Sequence, residues 1–133
     1  MLNTAILPAS WSGPLQSILR IMLGLLFLAH GTTKMLGFPV SQYTPAAGAM
    51  ETMTMVTGTL ELAGGVLIVL GLFTRITAFI LAGFMAVAYF WAHAPMGFHP
   101  INNYGELAIM FCFVFLYLAA AGPGTWSIDA KRR

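Results

Sequence analysis

Four apolar runs, each closed off by glycine or proline, occupy most of this 133-residue chain. They cover roughly Leu15 to Leu36, Thr52 to Phe73, Arg75 to His93 and Asn103 to Ala121. A helix needs about 20 apolar residues to cross a hydrocarbon layer of ~30 Å. A membrane strand needs only ~9–11, with alternating polarity that these runs lack. The breaks are short: Gly37, Pro39 and Pro45 in the first, Thr74 and Arg75 in the second, Pro95, Gly97 and Pro100 in the third. Short connections make neighbouring helices antiparallel. The runs therefore predict an all-α membrane protein, an antiparallel four-transmembrane-helix bundle forming a single membrane domain over residues 1–133. Composition agrees. Only 8% of the residues are charged and 59% are hydrophobic, against about 25% charged in a soluble domain.

The start of the first run has the look of a signal-peptide core, with Arg20 ahead of Ile21 to Ala29. No small-x-small cleavage site follows; His30, Gly31, Thr32, Thr33 and Lys34 come next, so the segment reads as a retained helix after a short lead, Met1 to Pro14. Basic residues set the orientation. With both termini cytoplasmic, Arg75, Lys131, Arg132 and Arg133 lie inside, Arg20 lies near that side, and only Lys34 lies outside. Trp11 and Trp126 then suit the inner interface and Trp91 the outer. Net charge is +2 and the basic residues are scattered, which excludes a nucleic-acid footprint. The lipid membrane is the first partner. The single cysteine, Cys112, forms no internal disulfide and sits in an apolar run, as a structural thiol does. No tight His/Cys/carboxylate spacing marks a metal site.

Ionisable groups inside a membrane are costly, and point to function by default. The chain has Arg20, His30, Lys34, Glu61, His93 and Glu106 within or beside its spans. At about 100° per residue, Gln16, Arg20, Gly24, Phe27, His30, Gly31 and Lys34 share one face of the first helix. Thr54, Thr57, Gly58, Glu61, Gly64 and Gly65 share one face of the second. Arg75, Ala82, Ala86, Tyr89 and His93 align on the third, and Asn102, Asn103, Glu106, Met110, Phe113 and Tyr117 on the fourth. Lipid rejects the charges, and small residues admit close helix packing. Both arguments turn the four faces inward into a polar seam. A rise of ~1.5 Å per residue puts all six groups except Arg20 in the outer half. Arg20 lies close enough to the inner boundary to snorkel.

Each group has a functional and a bland reading. Glu61 and Glu106 form either a buried carboxylate pair that cannot easily ionise twice, suited to proton exchange, or packing pairs with Lys34 or Arg20. His30 and His93 allow haem ligation between helices. Two histidines outside any attachment motif argue against haem. A quinone headgroup held through His30, or plain interhelical hydrogen bonding, remain. Asn102 or Asn103 reads as the N-cap of the fourth helix.

Three stretches carry a family likeness: RIMLGLLFLAHGTTKMLGF from Arg20 to Phe38, ELAGGVLIVLGLFTRITA from Glu61 to Ala78, and NNYGELAIMFCFVFLYLAAAGPGTWSID from Asn102 to Asp129. In their order and spacing the chain resembles the DoxX family of small four-helix membrane proteins. That resemblance implies a bacterial inner-membrane protein with a redox leaning. Family relatives include a subunit of a thiosulfate:quinone oxidoreductase, and a membrane partner of superoxide dismutase and a sulfurtransferase. Arg20, His30, Lys34, Glu61 and Glu106 occupy the family's recurrent polar positions. The reading that follows is a redox-linked, quinone- or thiol-associated membrane subunit or scaffold. Its polar intramembrane site would draw on Arg20, His30, Lys34, Glu61, His93, Asn103 and Glu106. Other membrane or redox proteins, or a second copy of the chain, are the partners this reading allows. A lone cysteine speaks against a self-contained dithiol mechanism. The alternatives are a small proton-coupled transporter, and a structural or assembly subunit with no site of its own.

Overall fold

A computed structural model describes residues 5–133, and among these the chain is helical with no strand. Residues 1–4 of the lead lie outside the described residues. The long helices are α1 (Ser12–Leu36), α2 (Thr52–Leu70) and α3 (Thr74–Ala88). The helical path of α3 continues through a π turn, Tyr89–His93, and a 3-10 turn, Ala94–Met96. A single turn, α4 (Pro100–Asn103), leads to α5 (Glu106–Ala121), and α6 (Ile128–Lys131) closes the tail. Three spans are long and apolar enough to cross a membrane, and α5, with 16 residues, is a shorter apolar helix. The architecture is a membrane bundle of four helices.

Local chemistry sets the ends. α1 and α2 stop at glycines in the left-handed region, Gly37 (φ 67°) and Gly71 (φ 66°), where a side chain would be strained. α2 thus ends at Leu70 rather than Phe73. The fourth span starts at Glu106 rather than Asn103, because Tyr104 (φ 59°) turns the chain out of helical geometry. The start of α3 is capped from the tail. The Asp129 carboxylate accepts from Phe73 N (2.9 Å) and Thr74 N (2.8 Å), and Asp129 N donates to the Gly71 carbonyl (2.9 Å).

Partial burial alone would raise the Asp129 carboxyl, but the Thr74 and Phe73 N–H groups and nearby Arg132 hold it below the usual aspartate range. A depressed pKa stabilises the fold above the unfolded value of about 3.9, and the contribution is lost as pH falls through the folded value. Hydrogen exchange at Phe73 and Thr74 is therefore expected to accelerate below about pH 4. In Asp129→Asn it should be fast, and independent of pH after correction for intrinsic exchange.

Packing is by pairs. α1 lies along α2, α3 lies along α5, and α2 and α3 touch sparingly. Close approach of α1 to α2 needs glycine. A Cβ on Gly31 would sit 2.6 Å from Leu62 N, and one on Gly65 2.9 Å from Leu28 Cα. Phe27 of α1 joins the pairs edge-to-face with Phe111 (5.3 Å) and Phe115 (5.0 Å) of α5.

The inward faces of α1 and α2 carry Arg20, Gly24, Phe27 and Gly31, and Gly58, Glu61, Gly64 and Gly65. α5 departs from expectation. Its buried face is Ala108, Phe111, Phe115 and Leu118. Glu106 is exposed, as are Met110, Phe113 and Tyr117. The Tyr104–Gly105 break resets the helical phase between Asn103, which is buried, and α5. α5 is apolar nearly all round, so the aromatic fit against α1 decides which side is buried. On α3, Arg75 is exposed and Thr74 and Thr77 are buried.

Candidate functional site

The buried polar groups fall into two centres at opposite ends of the bundle. The first lies at the end carrying both described chain ends. Arg20 is fully buried, not snorkelled to the surface. Its Nε donates to Pro123 O (2.8 Å), Nη1 to Ile68 O (2.9 Å) and Val69 O (3.0 Å), and Nη2 to Trp126 O (2.5 Å). Ile68 and Val69 lie in the last turn of α2, whose carbonyls and dipole favour a cation. The planar fork of arginine fits several carbonyls at once. Ser17 Oγ accepts from Trp126 N (3.0 Å), and a Cβ on Gly124 (φ 81°) would lie 2.3 Å from that hydroxyl. Arg75 donates to the carbonyls of Ala119 and Ala120 at the end of α5. The GPG-x-x-S-x-D exit is therefore a structural clamp: Pro123 and Trp126 receive Arg20, and Asp129 caps α3. Arg20 stands apart from the other ionisable spans.

The second centre is a cavity of about 430 Å³ at the opposite end, walled by α1, α2, α3 with its π turn, and α5. Most of its lining is apolar or aromatic, including Phe27, Phe84, Trp91 and Phe111. His30, Lys34, Glu61 and His93 all line it. Lys34 Nζ donates to Glu61 Oε1 at 2.8 Å and to Thr57 Oγ1 at 3.3 Å. Glu61 is only 4% exposed, and its Oε2 is buried without a hydrogen-bond partner among the described residues. An unsatisfied carboxylate oxygen in a low-dielectric site is among the costliest groups a fold can carry.

His30 packs at a tilt against Tyr43 of the α1–α2 loop (4.9 Å) and edge-to-face against Phe111 (6.2 Å), and no described residue hydrogen-bonds its ring nitrogens. His93 Nδ1 meets the Asn103 carbonyl at 2.9 Å. A carbonyl only accepts, so Nδ1 carries a proton and donates it there. Asn103 caps no helix. Its amide donates to Gly97 O (2.8 Å) and Tyr89 Oη (3.3 Å), and its Oδ1 accepts from Gly105 N (2.8 Å), pinning the loop that holds His93.

Part of the cavity wall is exposed. That part includes Met53 and Val56 of α2, each 52% exposed, and Val87 (57%) and Trp91 (71%) on the α3 side.

Of the residues expected in one polar seam, the structure brings together His30, Lys34, Glu61 and His93. Asn103 stands behind His93. Glu106 does not line the cavity and forms no pair with Glu61: as the first residue of α5 it faces outward, where the helix N-terminus favours a carboxylate. Thr57, Tyr43 and Trp91 were not singled out for the site. Thr57 was visible on the Glu61 face, whereas Tyr43 had no signal beyond an aromatic in a Pro/Gly-rich loop.

Fold and site define a small helical membrane protein with a charged pair beside a largely apolar cavity. The chain belongs to the DoxX family, whose model matches residues 15–94. It is 43% identical over 118 residues to a Haemophilus influenzae protein described as "Uncharacterized protein", covering 86% of this chain and 88% of that one. It is 33% identical over 121 residues to inner membrane protein YqjF of Escherichia coli K12, covering 84% and 87%. It is 36% identical over 113 residues to the Bacillus subtilis protein named "Putative oxidoreductase CatD", covering 84% and 82%. No solved structure matches the chain.

Proposed function

We propose that this chain is a redox-linked inner-membrane subunit that receives a quinone-class headgroup into its cavity from the bilayer. The observation that carries the reading is Glu61 Oε2, buried without a hydrogen-bond partner among the described residues, on the wall of an aromatic cavity. An aromatic headgroup would find stacking surface on Phe27, Phe84 and Phe111, polar contact at His30 and Glu61, and an exit for its apolar tail past Val56 and Val87. A relative named as an oxidoreductase supports the redox leaning, and one named an inner membrane protein supports the location. The electrons and any covalent chemistry belong to a partner protein in this reading. A proton/cation exchanger is less well supported, because Glu61 is paired with Lys34 rather than alone.

The test is titration of the nanodisc-reconstituted protein with a short-chain quinone, followed by tryptophan fluorescence. Trp91 lines the cavity, while Trp11 lies at the far end of the bundle and Trp126 in the tail beside it. Saturable quenching is expected, and Trp91→Phe should remove most of it. Quenching unaffected by Trp91→Phe, or absent in the parent protein, would sink the reading.

Both termini are assigned to the cytoplasm from Arg75, Lys131, Arg132 and Arg133, all at the Arg20 end of the bundle. A green fluorescent protein fused after Arg133 should fluoresce, and an alkaline phosphatase fused there should be inactive. The reverse pattern would invert the assignment.

A further inference from the structure

We propose that the cavity binds the reduced, dihydroxy-aromatic form of its guest in preference to the quinone. The inference rests on the quinone-class reading above and adds the redox state that the site selects. It comes from counting donors and acceptors. Glu61 Oε1 is satisfied by Lys34, and Oε2 is wholly buried with no partner. An ionised carboxylate oxygen only accepts, so what it lacks is a donor. That buried acceptor on the cavity wall calls for a hydroxyl group. A quinol presents two O–H donors, and a quinone presents two carbonyl oxygens.

Donors do line the same cavity, on His30, Tyr43 and the remaining Lys34 N–H. Tyr43 is 44% exposed and the Lys34 side chain 18% exposed, and His30 is half-buried. Water can satisfy these groups at little cost, so a quinone carbonyl gains little by replacing it. Glu61 Oε2 has no such recourse. A ligand hydroxyl there forms a charge-assisted bond in a dry site, whereas a carbonyl oxygen meets the carboxylate lone pairs directly. The largest gain and the largest penalty fall on the same atom, and both favour the quinol.

The test compares three rings of nearly one shape: tetramethylhydroquinone, tetramethylbenzoquinone and the dimethyl ether of the former. Full substitution prevents addition to Cys112. Each is titrated anaerobically into the full-length protein in nanodiscs, by calorimetry. The hydroquinone should bind about tenfold tighter than either other ring, as a hydrogen bond to a charged group implies. Preferential binding of the reduced form raises the two-electron potential of the bound couple, by about 30 mV per tenfold. Glu61→Gln supplies an amide N–H that can serve a carbonyl, and its preference should fall below about twofold. Should that variant misfold, the three-ring comparison in the parent protein still decides. Equal binding of hydroquinone and quinone overturns this inference and leaves the quinone-class reading intact. Binding of none of the rings overturns both.

Discussion

Arg20→Met is expected to destabilise the protein by about 3–5 kcal/mol, as the loss of several buried hydrogen bonds from a charged donor, each worth about 1.5–3 kcal/mol, implies once the tail relaxes. The guanidinium supplies donors to four carbonyls: two in the last turn of α2 and two in the 122–127 tail segment. Ile68 O keeps the Gly71 N–H, whereas the Val69, Pro123 and Trp126 carbonyls lose their donor and stay costly unless the structure relaxes to let water in. The tail is the part free to relax, so Pro123 and Trp126 should detach and take Asp129 off α3. Arg20→Lys should recover less than half of the loss. An ammonium is a compact point donor with three protons, and it cannot spread across acceptors on two segments as the planar fork does. Thermal unfolding in a mild detergent measures the first effect, and hydrogen exchange at Trp126 and Thr74 measures the second. Ring binding by the surviving folded fraction should be unchanged, since Arg20 does not line the cavity. A melting temperature within about 2 °C of the parent would show that the clamp contributes little, since even 1 kcal/mol shifts a domain of this size by more than that.

The same residue shows how far the sequence could be read. Four spans followed from run length and breakers, because the bilayer leaves the backbone few choices. The inward faces of α1 and α2 followed from helical phase, because charge and glycine fell together on each. Phase reasoning failed at α5, where Tyr104 enters the left-handed region and breaks the register between Asn103 and Glu106. Tyrosine is no marker of such a turn, and a helix that is apolar nearly all round has no face for the pattern to identify. Arg20 itself was visible as a buried charge, but its partners were not. They are backbone carbonyls about 50 and 100 positions away, and carbonyls leave no trace in residue type. The Lys34–Glu61 contact was within reach as one of several pairings. The choice among them needed the close α1–α2 packing that Gly31 permits.

That pair yields the second large expected effect, and a way to separate function from scaffolding. Lys34→Met strands the Glu61 carboxylate, 4% exposed, with neither oxygen satisfied by a described residue. The expected cost is about 3–5 kcal/mol. Glu61→Gln should cost less, about 1–2 kcal/mol. Lys34 is the better solvated partner, keeps Thr57, and stands two residues from the end of α1, where its ammonium can swing toward water. In the double variant Lys34→Met/Glu61→Gln the stranded charge is gone. Most of the stability lost in Lys34→Met should return, giving a coupling of at least ~2 kcal/mol in the four-protein cycle. Stability and binding then part company. If the pair only fixes the register of α1 against α2, the double variant should be both stable and unchanged in ring binding, and the chain is then a structural subunit. If Glu61 Oε2 is the atom a ligand satisfies, the double variant should be stable yet bind the hydroquinone about tenfold more weakly, because the charge-assisted acceptor has been removed. A double variant no more stable than Lys34→Met would contradict both readings, since each requires the cost to lie in the unpaired charge rather than in the shape of the lysine side chain.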